Sequence, residues 1–454
     1  MVAFLKKGVN VATGIPKSQW NGADVDEAET KSDNSLDIHL AYPGKQTEAE
    51  ILATHPAKCV MLGKVGDAIN RLYYGDNQPI LANLLNDATI KQKIKLIYID
   101  PPFATKSIFQ SRNQQNAYQD LLFGSRYLEF LRHRLVLLRE ILADDGSIYL
   151  HLDENMAFHA KIILDEIFGQ SNFRNWITRK KCNPKNYTSH TYGNISDFIL
   201  FYTKSNQYIW NRPFEAWTEE RAKKEYEYIE PETGRRYKKV PIHAPGVRNG
   251  ETGQPWRGMM PPPGKHWQFT PKTLDEMDAR GEIFWSKNGN PRRKVYLDAS
   301  QGVPVQDIWL DYRDAHNQNI KVTGYPTEKN PALLARVIQA SSNEGDLVLD
   351  CFSGSGTTLV VADELGRRWL GIDNSMEAIS TTLKRFANGS ERMGDFVSQG
   401  KQQVQQLSLF DGDESANGGN FLYPPSSIVK NFGLYADAAV AGDLQSFVGS
   451  LMEM

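Results

Sequence analysis

Two blocks of alternating strand and helix patterns constrain the fold of this 454-residue chain more than any other feature. In the first block, an apolar run at 94–99 precedes a helix pattern in which leucines recur every three or four residues. These are Leu128, Leu131, Leu135, Leu138 and Leu142. In the second block, strand patterns at 346–350 and 367–373 flank a glycine-rich turn and a helix. Such alternation is typical of α/β proteins, so we predict that both blocks are halves of one mostly parallel, twisted sheet.

An irregular stretch at 176–320 separates the two blocks, and we predict that it is an inserted domain. Residues 171–320 hold 24 Lys and Arg against 17 Asp and Glu, together with seven of the nine tryptophans. Cations and flat rings suit contact with phosphates and stacking on bases. The tryptophans can equally form a small core of the insertion itself. Both interpretations stay open from the sequence, and the first predicts nucleic acid as the partner.

The same patterns divide the chain into five segments. We predict an N-terminal extension, a first half of the sheet domain, the insertion, a second half of the sheet domain, and a flexible polar tether with a C-terminal tail. Their bounds are 1–60, 61–175, 176–320, 321–395 and 396–454.

Cysteine usage and hydropathy exclude several classes of protein. The three cysteines have no C-x-x-C spacing, which gives no support for a disulfide framework or a zinc site. No apolar run approaches the roughly 18 residues that cross a bilayer, and the first residues lack the apolar core of a signal peptide. We therefore expect a cytoplasmic protein that binds neither a metal nor a membrane.

The first chemical motif stands at the end of the strand pattern at 94–99. The stretch "KLIYIDPPFATK" places Asp100, Pro101, Pro102 and Phe103 directly after the apolar run. A carboxylate, a rigid turn and an aromatic ring are thereby held side by side at a strand end. Alone, this arrangement is also compatible with an ordinary strand followed by a turn.

The second motif is a glycine-rich turn followed by an acidic residue. In "DLVLDCFSGSGTTLVVADELGRRWLGIDNS", Gly354 and Gly356 let a nucleoside approach the backbone, and Asp373 can accept hydrogen bonds from its ribose. The third glycine of a dinucleotide site is missing, and no Lys-Ser/Thr pair of a P-loop follows. A nucleoside cofactor without pyrophosphate fits best, and S-adenosylmethionine is the candidate. The alternative is that the glycines only permit close packing and Asp373 caps a helix.

Together with "GDN" at 75–77 and "GYPTEKNPALL" at 324–334, these motifs resemble the amino-group DNA methyltransferases in their permuted motif order. The chain looks similar to the modification subunits of type III restriction systems and to related site-specific adenine methyltransferases, over roughly residues 65–390. The resemblance implies a Rossmann-like, S-adenosylmethionine-dependent methyltransferase fold with an inserted target-recognition domain. It also implies methylation of the N6 amino group of a flipped-out adenine. Cytosine-N4 methylation, or a nucleic-acid-binding subunit without catalysis, stays open.

The resemblance also implies roles for individual residues. The catalytic set is Asp100, Pro101, Pro102 and Phe103. The implied cofactor-binding set is Asp76, Asp100, Lys329, Asp350, Phe352, Gly354, Gly356, Thr357 and Asp373. Three positions depart from the family pattern, since Cys351 stands where proline is usual, Asp373 where glutamate is common and Phe103 where tyrosine is commoner. Aspartate rather than serine at position 100 favours adenine over cytosine by family pattern.

The chemistry of amino methylation explains why these residue types are needed. The exocyclic amine of a base is a poor nucleophile because its lone pair is delocalised into the ring. The Asp100 carboxylate and the Pro101 carbonyl can accept its two hydrogens, and Phe103 can stack on the extruded base. Methylation at carbon 5 would need a nucleophilic cysteine, and none of the three stands in the Pro-Cys context that such enzymes use.

Basic clusters in the insertion are the predicted DNA contacts, because clustered cations typically bind phosphates. They are Arg179, Lys180, Lys181, Lys185, Arg257, Arg292, Arg293 and Lys294. For any single one of them, a solvated surface position is the alternative. Double-stranded DNA is the predicted partner.

The C-terminal tether contains one apolar element. Gln406, Leu407, Leu409 and Phe410 resemble the short peptide by which bacterial replication proteins bind the sliding clamp. The alternative is an apolar segment that folds back on its own domain. A homodimer and a restriction or helicase-nuclease subunit are further expected partners, by resemblance to related enzymes.

Overall fold

The structure is a computed structural model that describes most of the chain. The described residues are 38–102, 124–184, 190, 192–313, 321–322, 328–388, 391–392, 429, 431–442 and 444. Several predicted site residues lie outside the described residues. They are Phe103, Lys185, Gln406, Leu407, Leu409 and Phe410. None of the described helices is long and apolar enough to cross a membrane.

The first block contributes six strands and four helices. In chain order they are α1 (Glu48–Leu52), β1 (Cys59–Val65), β2 (Asn70–Tyr74), α2 (Asn77–Leu84), β3 (Ile94–Ile99), α3 (Ser125–Ile141), β4 (Leu142–Leu152), α4 (Ala157–Phe168), β5 (Phe173–Lys180) and β6 (Ser196–Thr203). The leucine stripe of α3 is buried as far as Leu138. Leu142 differs from the prediction, because its backbone is extended and pairs with Ile94 as the first residue of β4.

The insertion contributes short strands and two helices. They are β7 (Phe214–Glu215), α5 (Glu219–Glu225), β8 (Tyr228–Ile229), β9 (Arg236–Pro241), β10 (His243–Pro245), β11 (Lys265–Trp267), α6 (Pro271–Ala279), β12 (Ile283–Trp285), β13 (Pro291–Tyr296), β14 (Val303–Pro304) and β15 (Ile308–Trp309). A small antiparallel sheet in the order β12-β13-β9-β8 packs on its own core, which contains Trp256 and Trp267. These two tryptophans therefore serve the insertion as core residues.

The second block completes the chain. Its elements are β16 (Lys321–Val322), α7 (Pro331–Ser341), β17 (Leu347–Asp350), α8 (Thr357–Glu364), β18 (Arg368–Asp373), α9 (Met376–Asn388), β19 (Glu391–Arg392) and β20 (Phe432–Asp437). Helix α7 starts where the sequence provides both a cap and a suitable first residue. Asn330 accepts a hydrogen bond from the Ala332 N–H, and Pro331 occupies the first helical position.

One ten-stranded sheet organises both blocks, in the order β1-β20-β2-β18-β17-β3-β4-β6-β5-β15. The six strands from β20 to β4 run parallel, whereas β1 and β6 are antiparallel to their neighbours. One face is covered by a core that includes α3 and α4, and the other by a core that includes α7 and α8. The predicted mostly parallel α/β fold is confirmed.

The sheet reaches further along the chain than the predicted segment bounds. Strands β5 and β6 lie in the main sheet because the apolar residues of β6 pair with β4, so the separate part of the insertion begins after Thr203. Strand β20 falls within the segment predicted to be a tether and tail, yet it lies between β1 and β2. A six-residue strand whose partners are about 360 residues away in sequence has no local pattern that identifies it.

We expect Phe432→Ala to destabilise the whole protein by about 3–5 kcal/mol, as for other large core truncations. The Phe432 side chain is 7% exposed and lies 5.0 Å, centroid to centroid, from the ring of Phe386. Urea unfolding followed by circular dichroism measures the change. Phe158→Ala is the control, because Phe158 is 64% exposed and its removal should cost far less. Equal effects of the two changes would contradict the placement of β20 in the core.

Candidate active site

The site lies where β3 and β17 end side by side. These strands come from different blocks, yet they are parallel neighbours with Leu349 opposite Ile97. Carboxyl ends of adjacent parallel strands meet at one edge of a sheet, where ligands bind in open α/β folds. Asp100 and the glycine-rich turn after Asp350 are therefore brought to the same edge, as the sequence predicts.

Asp350 stabilises the glycine-rich turn through two hydrogen bonds. Its Oδ1 accepts the Phe352 N–H at 3.0 Å, and its Oδ2 accepts the Thr358 hydroxyl at 2.6 Å. Burial raises the pKa of Asp350 to about 7, although these two donors act to lower it. The carboxyl group thus supports the turn itself, and its contact with a cofactor stays a prediction.

Asp373 joins the ends of β17 and β18. Its Oδ2 accepts the Gly354 N–H at 2.8 Å, and its Oδ1 accepts the Ser375 N–H at 2.9 Å. Burial raises the pKa of Asp373, against the lowering effect of these hydrogen bonds. A carboxylate offers about four lone-pair positions, and the Asn374 N–H is a third donor to Asp373, so about one position stays available for a ribose hydroxyl. The structural role considered as an alternative is therefore present and compatible with ligand binding.

Backbone conformation explains the two glycines of the turn. Gly354 and Gly356 have positive φ angles of 50° and 74°, a region that side chains disfavour. A Cβ atom at Gly356 would also lie 2.7 Å from the Thr382 side chain. Glycine at these two positions therefore allows the turn to be tight.

The Thr357 side chain contacts a buried ion pair between Arg385 and Glu328. The Arg385 guanidinium donates to the Thr357 hydroxyl at 2.7 Å and lies 2.9 Å from the Glu328 carboxylate. Glu328 precedes Lys329, so the same contacts fix the segment that carries this lysine. Thr357, predicted to bind cofactor, supports the turn through its side chain.

Asp76 and Phe352 form the side of the site next to β2. Asp76 caps α2 through the Gln78 N–H at 3.0 Å and pairs with Arg134 at 2.9 Å, while its side chain stays 56% exposed. The Phe352 ring lies 6.0 Å from that of Phe130, and the Arg134 guanidinium lies 3.6 Å above the Phe130 ring. An aromatic wall with an exposed carboxylate at its end suits a flat, polar-edged ligand.

Asp100 forms an ion pair with Lys329, a residue for which the family resemblance implies cofactor binding. The Lys329 ammonium lies 2.8 Å from Asp100 Oδ2, whereas Oδ1 is buried and accepts no hydrogen bond from the described residues. Pro101 is buried and Pro102 is exposed. One oxygen of the Asp100 carboxylate is therefore fixed, and the other is left for a donor that the described residues do not supply.

A buried polar network behind Asp100 was missed from the sequence. His151 on β4 has Nδ1 2.8 Å from the Tyr98 hydroxyl and 3.9 Å from Asp100 Oδ1, and Nε2 3.0 Å from Asp197 Oδ2. Burial acts to raise the pKa of Asp197, but His151 and the Arg179 guanidinium lower it well below its usual value. The available signal was one histidine in the apolar carboxyl-terminal part of β4, "IYLHL" at 148–152.

The site has the groups that S-adenosylmethionine needs. Two buried oxygens, Asp100 Oδ1 and Ser353 Oγ, have no hydrogen-bond partner among the described residues, and such atoms need a partner. Gly354 and Asp373 lie in the adjoining turn, where the Gly354 N–H donates to the Asp373 carboxylate. Donors, acceptors and an aromatic wall therefore fit a nucleoside with an amino-acid side chain.

The predicted DNA contacts are distributed unevenly. Arg179 is a correction, because its side chain is fully buried and lies 3.6 Å from Asp197, where it neutralises that carboxylate and cannot reach DNA. Lys180 and Lys181 are half-buried near the main sheet, and Lys181 lies 3.9 Å from Glu154. These three residues therefore offer much less free positive charge than their sequence suggests.

The remaining basic residues lie on the insertion. Arg257 pairs with Asp275 and Asp278, at 3.1 and 2.6 Å. Arg292 is exposed, whereas Arg293 is half-buried and faces the core side of the small sheet. Lys294 shares the side of Arg292, and its ammonium lies 2.7 Å from Glu230.

A family model described as DNA methylase, for N6 and N4 enzymes, matches residues 94–384. The chain belongs to this DNA methylase family. The matched region contains both motifs in permuted order, with Asp100 before the insertion and the glycine-rich turn after it. The methyltransferase therefore acts on DNA, and its methyl donor is S-adenosylmethionine.

Several known proteins are similar to this methyltransferase. Type II methyltransferase M.EcaI of Enterobacter cloacae is 49% identical over 380 residues, which cover 82% of each chain. The Mod subunit of the type III restriction-modification enzyme StyLTI of Salmonella typhimurium is 27% identical, over 64% of this chain and 49% of the subunit. The structure of the M1.HpyAVI-SAM complex aligns with 70% of this chain and 98% of that chain, at 17% identity and a TM-score of 0.38.

We expect the free energy of unfolding to decrease as pH rises from about 4 to about 7, in part because of the raised pKa of Asp350. In this range the Asp350 carboxyl group keeps its proton in the folded state. In the unfolded state, where its pKa is near 3.8, it has lost that proton. The folded state then binds more protons, which gives a slope of at most about 1.4 kcal/mol per pH unit from one group.

Asp350→Asn should reduce that slope, since an amide resembles the protonated acid. Thermal unfolding at several pH values measures it, with the exposed Asp144→Asn as the control. A slope unchanged by Asp350→Asn would contradict the raised pKa.

Proposed function

We propose that the methyltransferase transfers a methyl group to the N6 amino group of an adenine flipped out of double-stranded DNA. The observation that carries this proposal is the state of Asp100, whose Oδ2 is held by Lys329 and whose buried Oδ1 lacks a donor. An amine N–H is the donor that this oxygen can accept. Aspartate at this position, rather than serine, supports adenine by family pattern.

Each residue of the site has its own role in the proposed amino methylation. Asp100 Oδ1 accepts one N–H of the amine, and the Pro101 carbonyl accepts the other, so that the nitrogen lone pair is directed away from the base. Lys329 restrains the carboxylate, which favours one orientation of the acceptor. Gly354, Phe352 and Asp373 would hold S-adenosylmethionine, which supplies an electrophilic methyl group on a sulfonium. Phe103, next in sequence to Pro102, is proposed as the surface on which the base stacks.

A role in restriction-modification is part of the proposal. M.EcaI is named a type II methyltransferase, and the StyLTI relative is named a Mod subunit of a type III enzyme. The chain spans most of M.EcaI but about half of the Mod subunit. We therefore infer a modification enzyme that protects a short DNA sequence, and we propose a homodimer, a restriction subunit and the sliding clamp as partners to be tested.

Long-read sequencing of DNA from cells that express the protein or its Asp100→Ala variant tests the base and the site together. We expect modified adenine in one short sequence, with single-turnover methylation reduced by at least about 100-fold in the variant because the amine loses its acceptor. Calorimetry with S-adenosylmethionine serves as the control, since the variant should keep the cofactor turn.

The other outcomes of this experiment separate the alternatives. Modified cytosine would replace the proposed base by cytosine N4 and leave the amine acceptor in place. Cofactor binding without modification of either base, in the wild-type protein, would favour a DNA-binding subunit.

We propose that DNA contacts the basic face of the insertion, defined as the side of the small sheet that carries Arg292, Lys294 and Lys239. The opposite side packs on the insertion core through Ile283. On the basic face, the Lys239 ammonium lies 3.4 Å from the centre of the Tyr228 ring. Arg292 is exposed on this face, whereas Lys239 and Lys294 are half-buried. Cations and aromatic rings on one face suit phosphate contact and stacking.

We expect Arg292→Ala and Lys239→Ala each to weaken DNA binding and to reduce the salt dependence of the binding constant by about one phosphate contact. Fluorescence anisotropy at several salt concentrations measures both. Arg280→Ala is the matched control, because Arg280 is exposed on the insertion but paired with Glu282 at 2.8 Å. Equal salt slopes for all three variants would exclude the basic face as the contact.

A further inference from the structure

His151 is a buried titratable group for which the mechanism above has no use. Its side chain is fully buried in β4, and three polar side chains surround it. Tyr98 and Asp100 approach Nδ1, and Asp197 approaches Nε2. Burying this many polar groups together costs free energy, so an apolar residue would serve packing better than a histidine.

The neighbours of His151 determine which nitrogen carries its proton. Asp197 stays ionised because its pKa is lowered, and its Oδ2 lies 3.0 Å from Nε2, so its negative charge favours the tautomer with hydrogen on Nε2. Burial raises the pKa of Tyr98 well above its usual value, so the hydroxyl stays protonated and donates to Nδ1. In this tautomer Nδ1 carries a lone pair, and this atom lies 3.9 Å from Asp100 Oδ1.

Amino methylation needs a place for one proton. As the nitrogen gains a methyl group, one of its N–H bonds must break, and Asp100 Oδ1 is the acceptor in contact with that hydrogen. A proton that stayed on Asp100 would remove the charge that pairs with Lys329 at 2.8 Å. The ion pair between Asp100 and Lys329 is therefore kept only if the proton leaves Asp100 and the carboxylate is restored.

We propose that His151 takes up this proton through Asp100. The amine N–H bond breaks and an O–H bond forms at Asp100 Oδ1. Asp100 then closes the 3.9 Å gap, the Tyr98 hydroxyl turns aside, and the O–H bond is exchanged for an Nδ1–H bond. The resulting imidazolium pairs with Asp197, and the proton returns to water after the product leaves.

The surrounding charges are matched to such a step. The groups that face the imidazole are Tyr98, Asp100 and Asp197, with Arg179 beside Asp197 and Lys329 on the far oxygen of Asp100. Before transfer, two carboxylates balance two cations, and afterwards Asp197 lies directly against the new positive charge. His151 does not touch the base, so it is a positioning residue that acts through Asp100.

This inference rests on amino methylation by the chain and holds for either base. Single-turnover methylation of the modified sequence, with saturating cofactor, tests it over a range of pH and in deuterated water. We expect His151→Gln to reduce the rate about 10–100-fold, with cofactor and DNA affinities within about 3-fold of the wild type. The decline of the wild-type rate at acid pH and its solvent isotope effect should both become smaller in the variant.

Control variants make the experiment decisive. His159→Gln removes an exposed histidine of α4 and should leave the rate and the pH profile unchanged. A folded His151→Gln protein with the wild-type rate and pH profile overturns the proposal. If His151→Gln does not fold, Asp197→Asn decides, because it removes the charge that stabilises the imidazolium in nearly the same volume. A slower rate with a weaker pH dependence supports the proposal, and unchanged kinetics overturn it.

The failure of this inference is distinguishable from failure of the proposed function. A wild-type protein that methylates neither base overturns both. An active wild-type protein whose kinetics do not respond to these variants overturns only the role of His151.

Discussion

The parallel pairing of β3 with β17 is the constraint on which the rest of the molecule depends. The two strands are separated by about 250 residues, yet they are neighbours near the centre of the sheet. Because each carries its motif at its carboxyl end, pairing alone places Asp100 beside the glycine-rich turn. The insertion can therefore vary in length without moving the chemistry, since both of its ends return to the main sheet through β6 and β15.

Buried charge is the second theme of the site. Asp100 and Asp197 are compensated by Lys329 and Arg179, and Glu328 by Arg385, all close to the carboxyl ends of the central strands. Removing one member of such a pair leaves an uncompensated charge, which is far more costly than losing a surface ion pair. The apolar cores give the sheet its stability, whereas these pairs fix the positions of a few oxygens.

Much of this arrangement could be predicted from the sequence, because it depends on local signals. The leucine stripe of α3, the strand before Asp100 and the Gly354 turn each have a period or a turn residue that marks them. Arg179 was misplaced because a lysine- and arginine-rich stretch has the same appearance whether one member points to solvent or to Asp197. His151 was missed because its partners come from other strands, and only the folded sheet brings them together.

The position of β20 has a consequence for how the protein is made. Among the described strands, β1 has β20 as its one neighbour in the sheet, and β2 pairs with β20 on one side and β18 on the other. On the ribosome, β1 and β2 emerge before β20, which fits between them and follows every other described strand in the chain. The growing chain thus keeps a gap next to β2 until about residue 437, and the sheet becomes continuous only after β20 has been made.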